Sequence, residues 1–151
     1  MRAKVLLTGF SGFVGQHCAV SLLKKGYYVK GSIRTLSKEA EVYKGISKEV
    51  AINDNLEICH LDLLKDEGWE KAMEGCDYVL HVASQFVIAE PKNEDELILP
   101  AVEGTLRALK AAKSGVKKMV LTSSTVAVAG DKKRNHLTQN SWTNPITDNV
   151  G

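Results

Sequence analysis

The sequence has little of what a metal site, a membrane span or a nucleic-acid surface requires. Its three cysteines, Cys18, Cys59 and Cys76, form no CxxC or cysteine–histidine spacing, so we predict reduced core thiols and no metal site. No apolar run approaches the roughly 20 residues of a membrane span. The formal net charge of +2 is too small and too mixed to indicate nucleic-acid binding. Because the first residues run directly into a strand, no signal peptide is predicted, and a soluble, cytoplasmic protein is expected.

What is present is ordinary for one globular domain, with 151 residues of which 44% are hydrophobic and 25% charged. Short apolar runs alternate with longer segments of helical period. The predicted strands cover residues 5–7, 27–33, 56–60, 78–82 and 118–122, and the predicted helices cover 12–25, 37–50, 67–73 and 94–113. This alternation predicts right-handed crossovers and an α/β fold, a Rossmann-type doubly wound parallel sheet with helices on both faces.

Apolar residues recur at helical spacing on two of these segments, and each set is predicted to form one face. In the first helix the set is Val14, Cys18 and Leu22. In the long helix the set is Val102, Leu106, Leu109 and Ala112. For the long helix, a buried stripe facing the sheet explains the pattern. Ser11 is available to cap the start of the first helix.

The stretch "LLTGFSGFVGQH" places Gly9, Gly12 and Gly15 at intervals of three, between the first strand and the first helix. A glycine-rich turn in this setting is typical of dinucleotide binding. The first glycine allows the tight turn, the middle one lets the backbone approach the pyrophosphate, and the third lets helix and strand pack closely. Backbone N–H groups and the helix dipole then favour phosphate. The predicted cofactor-binding residues of the turn are Thr8, Gly9, Phe10, Ser11, Gly12, Phe13, Val14 and Gly15.

The end of the second strand indicates which dinucleotide binds. An NAD site usually has an acidic residue there for the ribose hydroxyls, yet no Asp or Glu lies between Gly26 and Lys38. Arg34 stands where the 2′-phosphate of NADP would be received, and a guanidinium binds phosphate through paired, charged hydrogen bonds. We therefore predict that NADP(H) is preferred, with NAD(H) as the alternative and Ser32 and Lys38 as weaker contributors. An ordinary exposed arginine after a strand is the competing interpretation.

Two further segments end strands at the same predicted edge of the sheet, where open parallel sheets bind ligands. Asp62 and Leu63 follow the third strand, where the acid suits the adenine amino group and the leucine suits the ring. Alternatively, Asp62 caps the next helix. The small residues Val82, Ala83 and Ser84 follow the fourth strand and would let the backbone line the cofactor, although a plain turn explains them too.

With Thr8 in front, the motif "TGFSGFVG" resembles the turn of the extended short-chain dehydrogenase/reductase family, the NAD-dependent epimerase/dehydratase superfamily. Together with "PKNEDELILPAVEGTLRALKAAK" and "VKKMVLTSSTVAVAG", it is similar to the dihydroflavonol reductase and cinnamoyl-CoA reductase-like branch. This resemblance implies NADPH-dependent reduction of a small ketone or aldehyde substrate. It also implies that Ser124 is catalytic and stabilises charge on the substrate carbonyl oxygen, while Thr122 and Ser123 approach the cofactor. A simple turn at the end of a strand is the alternative for these serines.

The family's proton donor, a Tyr-x-x-x-Lys pair, is absent from residues 1–151. The residues four places after the chain's tyrosines are Gly31, Ser32, Ser47 and Val82. We therefore expect residues 1–129 to be an NAD(P)-binding domain of five βα units and residues 130–151 to be a loop leading to the catalytic helix. On this interpretation the fold is truncated before its last strands and substrate-binding region, and the chain alone is inactive.

Two rival functions stay open at this point. An NAD-dependent nucleotide-sugar epimerase or dehydratase shares the fold, but such enzymes usually carry Asn where this chain has Pro100, and Arg34 also argues against NAD. A non-catalytic dinucleotide-binding or interaction protein would keep the fold and lack the chemistry. The helix that carries Val102 and Leu106 often forms a dimer bundle in the family, so the resemblance also makes a homodimer an alternative to the sheet-facing stripe.

Overall fold

The structure is a computed structural model that describes residues 2–85, 93–113, 115–130 and 136–144. By its internal contacts the chain divides into two compact units, Met1–Leu121 and Thr122–Gly151. The predicted boundary after residue 129 lies inside the second unit. The assignment of residues 1–129 to a cofactor-binding domain stays a prediction.

The first unit is built on five strands. They are β1 (Lys4–Thr8), β2 (Tyr28–Ile33), β3 (Leu56–His60), β4 (Tyr78–His81) and β5 (Lys118–Leu121). All neighbouring strands pair in parallel, in the order β3-β2-β1-β4-β5. Strands β2 and β3 therefore extend the sheet on one side of β1, and β4 and β5 extend it on the other side. This reversal of strand order places the switch point between β1 and β4. The predicted doubly wound sheet is confirmed.

Helices cover both faces of this sheet. They are α1 (Phe13–Lys24), α2 (Glu39–Ser47), α3 (Trp69–Met73) and α4 (Asp95–Ala112), with a 3₁₀ turn at Leu36–Lys38 before α2. Leu7 packs in the apolar cluster with α1 and α2, whereas Leu6 packs in the cluster with α3 and α4. Successive residues of a strand point to opposite faces, so the adjacent leucines of β1 serve two separate cores.

Of the predicted α1 face, Cys18 and Leu22 are partly buried and pack against the apolar core. The helix buries Gly15, Ala19 and Leu23, whereas Val14 is exposed. Gly15 and Ala19 carry little or no side chain, so this face lets the helix backbone come closest to the turn and the sheet. Close approach of small residues outweighs the larger apolar side chain of Val14 here.

The predicted face of α4 is wrong for the same reason. Its buried residues are Gly104, Ala108 and Ala111. In contrast, Val102, Leu106 and Leu109 are 49%, 45% and 43% exposed. A Cβ atom at Gly104 would lie 3.1 Å from the Cβ atom of Leu63, so the helix backbone itself forms the contact. The interpretation of the large residues as a stripe facing the sheet is therefore wrong.

The described residues of the second unit include a short helix, α5 (Val126–Ala129), which the sequence pattern did not predict. Thr143, in the same unit, bonds this helix: its N–H donates to the Ala127 carbonyl (2.9 Å), and its hydroxyl donates to the Val126 carbonyl (2.6 Å). Of the predicted loop 130–151, residues 131–135 and 145–151 lie outside the described residues. Across the described ranges, no helix combines the length and apolar character needed to cross a membrane.

Candidate functional site: a groove at the carboxyl ends of the strands

An open cavity of about 760 Å³ lies at the carboxyl ends of β1 to β4. It brings together residues from the glycine turn, the end of β2 and the loops after β3 and β4. The predicted cofactor-binding residues that line it are Gly9, Ser11, Gly12, Phe13, Val14, Gly15, Arg34, Asp62, Leu63, Val82, Ala83 and Ser84. The groove lies over the switch point of the sheet, where open α/β folds bind their ligands.

The three glycines of the turn meet different constraints. Gly9 has φ +70°, and a Cβ atom there would lie 2.8 Å from the Ala83 backbone nitrogen. A Cβ atom at Gly15 would overlap the Gly9 carbonyl oxygen. At Gly12, by contrast, the nearest described atom is that same oxygen at 3.3 Å, and otherwise the space is open. The fold itself thus requires glycine at the first and third positions, whereas the middle position faces free space in the groove.

The start of α1 presents backbone donors to this groove. Gly12 is its N-cap residue, and no side chain of the described residues caps the helix. The predicted capping role of Ser11 is therefore wrong; instead, the Ser11 carbonyl accepts a hydrogen bond from the Gln16 side chain at 3.2 Å. The first N–H groups of a helix have no partner within the helix, and its dipole makes this end favourable for an anion.

Two charged side chains among the described residues line the groove, Arg34 and Asp62. Arg34 is exposed, and no ion pair within the described part of the chain engages its guanidinium. Its backbone is held in place because the Arg34 carbonyl bonds the His60 Nε2 atom at 2.7 Å. Asp62 does not cap the next helix, because α3 begins after Gly68; its carboxylate accepts from the Leu64 N–H at 3.0 Å.

Thr8, one of the predicted cofactor-binding residues, does not line the groove. Its side chain is buried, and its hydroxyl oxygen accepts a hydrogen bond from the Ala83 N–H (3.1 Å) and bonds the His81 Nδ1 atom (2.9 Å). Burial lowers the pKa of His81 to about 4, so the ring is neutral at pH 7. Because the hydroxyl already accepts from Ala83, its proton is free to be donated to Nδ1. Thr8 thus fastens the lining residue Ala83 to β1.

Two more predicted contacts do not line the groove. The Phe10 ring is completely buried and fills the space above Gly31, where a Cβ atom would lie 2.5 Å from the ring. Lys38 is exposed at the end of the 3₁₀ turn. Conversely, the lining includes Leu61 and Gln85, which the sequence analysis missed although each adjoins a predicted contact. Ser32, expected as a weak contributor, does line the groove.

The remaining predicted residues, Thr122, Ser123 and Ser124, belong to the second unit and are exposed. The Ser124 hydroxyl oxygen accepts from the Val126 N–H at 3.2 Å, and its carbonyl accepts from the Ala127 N–H at 3.1 Å. Ser124 thus satisfies donors at the start of α5, as serine commonly does before a helix. Its hydroxyl proton is free for another acceptor, so a catalytic role stays a prediction.

A comparison with protein families decides the assignment. Residues 5–149 match the model of the NAD dependent epimerase/dehydratase family. The chain belongs to this family. Membership is consistent with the strand–glycine turn–helix unit and with the position of the groove described above.

Relatives in the NAD dependent epimerase/dehydratase family include named reductases. The chain is 36% identical over 143 residues to aldehyde reductase 2 of Sporidiobolus salmonicolor, covering 91% of this chain and 41% of the relative. It is 33% identical over 144 residues to a dihydroflavonol 4-reductase of Hordeum vulgare, covering 93% and 40%. These names confirm the predicted resemblance to the dihydroflavonol reductase-like branch.

Among solved structures, the chain resembles yeast methylglyoxal/isovaleraldehyde reductase complexed with NADPH. The TM-score is 0.77 and the identity 31%, over 94% of this chain and 44% of the yeast protein. The chain thus spans about two fifths of the length of the reductases that it matches.

Proposed function

We propose that this chain is the coenzyme-binding part of an NADP(H)-dependent reductase that acts on a ketone or aldehyde. The observation that carries the proposal is the open space at Gly12, beside uncapped N–H groups of α1 and within a groove that Arg34 also lines. Within 4 Å of a Cβ atom at Gly12, the described residues beyond its chain neighbours place no atom other than the Gly9 carbonyl oxygen, so a ligand explains the glycine. The NADPH complex of the similar yeast reductase supports the choice of ligand.

Residues of the groove suit the separate parts of NADP(H). The first turn of α1 would bind the diphosphate through backbone N–H groups. Arg34 would bind the 2′-phosphate, because a guanidinium forms two parallel charged hydrogen bonds with such a group. Asp62 and Leu63 would accept from the adenine amino group and pack on its ring. The short side chains of Ala83 and Ser84 would let the end of β4 lie against the coenzyme.

The bound nicotinamide supplies the hydride for reduction. The chain's own contribution at the substrate would come from Ser124, whose hydroxyl would donate a hydrogen bond to the carbonyl oxygen and stabilise the negative charge that develops there. Residues 1–151 contain no tyrosine with a lysine four residues later to supply the proton. We therefore expect these residues to bind coenzyme without turning over substrate.

The proposal is tested by calorimetric titration with NADPH and NADH. We expect NADPH to bind at least roughly tenfold more tightly, a difference typical of one charged phosphate contact. The variant Arg34→Ala should lose that preference while its NADH affinity stays unchanged. Lys38→Ala is the matched control, because Lys38 is a nearby cation that does not line the groove. An unchanged NADPH preference in Arg34→Ala would contradict the assignment of the 2′-phosphate site.

The same titration separates the rival functions. Tighter binding of NAD(H) than of NADP(H) would favour an epimerase or dehydratase. A folded protein that binds neither coenzyme would favour an interaction protein that keeps only the fold. Arg34 and the lack of an acidic residue between Gly26 and Lys38 support the reductase over the NAD-dependent epimerase or dehydratase.

We also propose that α4 pairs with α4 of a second copy. Its exposed stripe, formed by Ile98, Leu99, Val102, Leu106 and Leu109, has Asp95 before it and Lys113 after it. These two charges are about five turns apart and so lie in line with the stripe. A two-fold axis at the centre of the stripe would bring each Asp95 against the Lys113 of the other copy.

Sedimentation velocity tests this pairing. A dimer is expected for the unaltered protein, and Leu106→Glu should convert it to a folded monomer, because a carboxylate would be buried at the centre of the contact. Lys110→Glu is the control, because Lys110 is exposed beside the stripe and not part of it. This variant should stay a dimer. A monomer at micromolar concentration in the unaltered protein would contradict the proposal.

A further inference from the structure

The Arg107 side chain on α4 makes three polar contacts with other described residues. Its side chain is only 19% exposed, and it reaches three acceptors on two elements. Nε bonds the Asp66 carboxylate, Nη1 donates to the Leu63 carbonyl oxygen at 3.0 Å, and Nη2 donates to Glu103 at 3.3 Å. Because two carboxylates already engage this guanidinium, Arg107 is not an available phosphate ligand, unlike Arg34.

Two of these acceptors lie in the segment after β3, residues 61–66, which we call the β3 loop. Residues 61–63 of the β3 loop line the groove, whereas no described residue of α4 does. Three residues before Arg107, Gly104 brings the α4 backbone against the Leu63 side chain. Leu63 is therefore held twice by α4, through its carbonyl oxygen and through its side chain.

Besides the packing of the Leu63 side chain against the apolar core, few other hydrogen bonds restrain residues 62–66. In the described part of the chain, their remaining hydrogen bonds are local: Leu64 and Lys65 donate to Asp62, and the Trp69 indole donates to the Lys65 carbonyl. Contacts within four residues shape a turn but do not fix where it stands relative to the sheet. Arg107 supplies the long-range polar contact that does so.

We infer that Arg107 is a positioning residue that holds Asp62 and Leu63 in place for the adenosine half of the coenzyme. This inference rests on the proposed function, since it assumes that the groove binds NADP(H). It assigns no contact between Arg107 and the coenzyme. Loss of the Arg107 contacts should affect only the adenosine end of the groove. The glycine turn and the end of β4 are held by other contacts, including that of Thr8 with Ala83.

The test compares two fragments of the coenzyme on Arg107→Met, which keeps an apolar stem and loses the donors. The affinity for 2′,5′-ADP, the adenosine half, should fall roughly tenfold, as for the loss of a hydrogen bond to a charged group. The affinity for reduced nicotinamide mononucleotide, which lacks adenosine, should stay unchanged. Lys110→Met, an exposed cation on the same helix, is the control and should change neither affinity.

A merely structural role would give a different result, because partial unfolding lowers both affinities by the same factor. Equal losses, or an unchanged 2′,5′-ADP affinity in folded Arg107→Met, would overturn the inference. If that variant does not fold, Asp66→Asn serves instead, since Asp66 is 86% exposed and its loss weakens only one contact. A loss of roughly threefold, confined to 2′,5′-ADP, is then expected, and no loss would overturn the inference.

The unaltered protein provides the separate test of the proposed function. If it binds NADPH and 2′,5′-ADP, the proposed function stands and the variants decide the role of Arg107. If it binds neither, the proposed function fails, and the role of Arg107 fails with it.

Discussion

The open space at Gly12 makes a strong prediction, because stability and coenzyme binding should respond separately to one substitution. In Gly12→Ala the new methyl group has one neighbour within 4 Å among the described residues beyond its chain neighbours, the Gly9 carbonyl oxygen at 3.3 Å, and the backbone, with φ −81° and ψ 165°, suits any residue. Loss of backbone freedom in the unfolded chain favours alanine by about 0.4–1 kcal/mol. Alanine is a poorer N-cap residue than glycine by a similar amount. We therefore expect the free energy of unfolding to change by less than about 1 kcal/mol.

Coenzyme binding should change far more. The methyl group would stand between the backbone and the diphosphate, and overpacking of a tight contact typically costs about 1–3 kcal/mol. Since about 1.4 kcal/mol is a factor of ten, the affinity for NADPH should fall roughly tenfold or more. Calorimetric titration measures the affinity, and urea unfolding of the same sample measures the stability.

Gly15→Ala is the matched contrast. There a Cβ atom would overlap the Gly9 carbonyl oxygen and lie 2.8 Å from the Gly9 carbonyl carbon, so the backbone must move. We expect a loss of about 2 kcal/mol or more in the free energy of unfolding. If Gly12→Ala folds normally and binds NADPH within twofold of the unaltered protein, the reasoning about the diphosphate is refuted.

Three further predictions concern other parts of the molecule. Thr8→Val removes the acceptor of the Ala83 N–H and the hydroxyl partner of buried His81. Urea unfolding should therefore show a loss of about 1–3 kcal/mol in the free energy of unfolding. Thr8→Ser should lose less, and equal losses in the two variants would contradict this. Since burial lowers the pKa of His81 to about 4, the unfolded state takes up a proton below pH 6.5 that the folded state does not, and stability should fall by about 3 kcal/mol between pH 6.5 and 4. His81→Gln should flatten that pH dependence of the unfolding free energy, and an unchanged slope would refute the assignment. Finally, residues 1–151 alone should bind NADPH yet show no reductase activity with aldehydes or ketones, because no tyrosine has a lysine four residues later; steady NADPH oxidation would contradict this.

Local patterns were sufficient to predict the strands and the ligand-binding turn. The range predicted for β3, residues 56–60, agrees with the structure, and β1, β2, β4 and β5 differ by one or two residues at their ends. Glycines at intervals of three between a strand and a helix predicted the groove, because both the tight turn at Gly9 and the close packing at Gly15 are local requirements of the backbone. The position of Arg34 directly after β2 predicted that this residue lies at the groove.

The direction of individual side chains was not predictable in this way. Hydrophobic spacing favoured a face with Val14 on α1 and a sheet-facing stripe with Val102 on α4, yet Gly15 and Gly104 face the core. Spacing records which residues are apolar, but it does not record how closely two backbones approach. Where two backbones approach most closely, only the smallest residues fit.

The amino-acid sequence by itself determined the order of strands and helices, the conformation of the glycine turn and the cation at the end of β2, since each depends on neighbours along the chain. Only the tertiary structure decided that Thr8 turns inward to His81 and Ala83 and that Arg107 on α4 holds the loop after β3. These contacts join residues more than forty positions apart. They exist because the strands lie side by side in the order β3-β2-β1-β4-β5 and the helices pack across them.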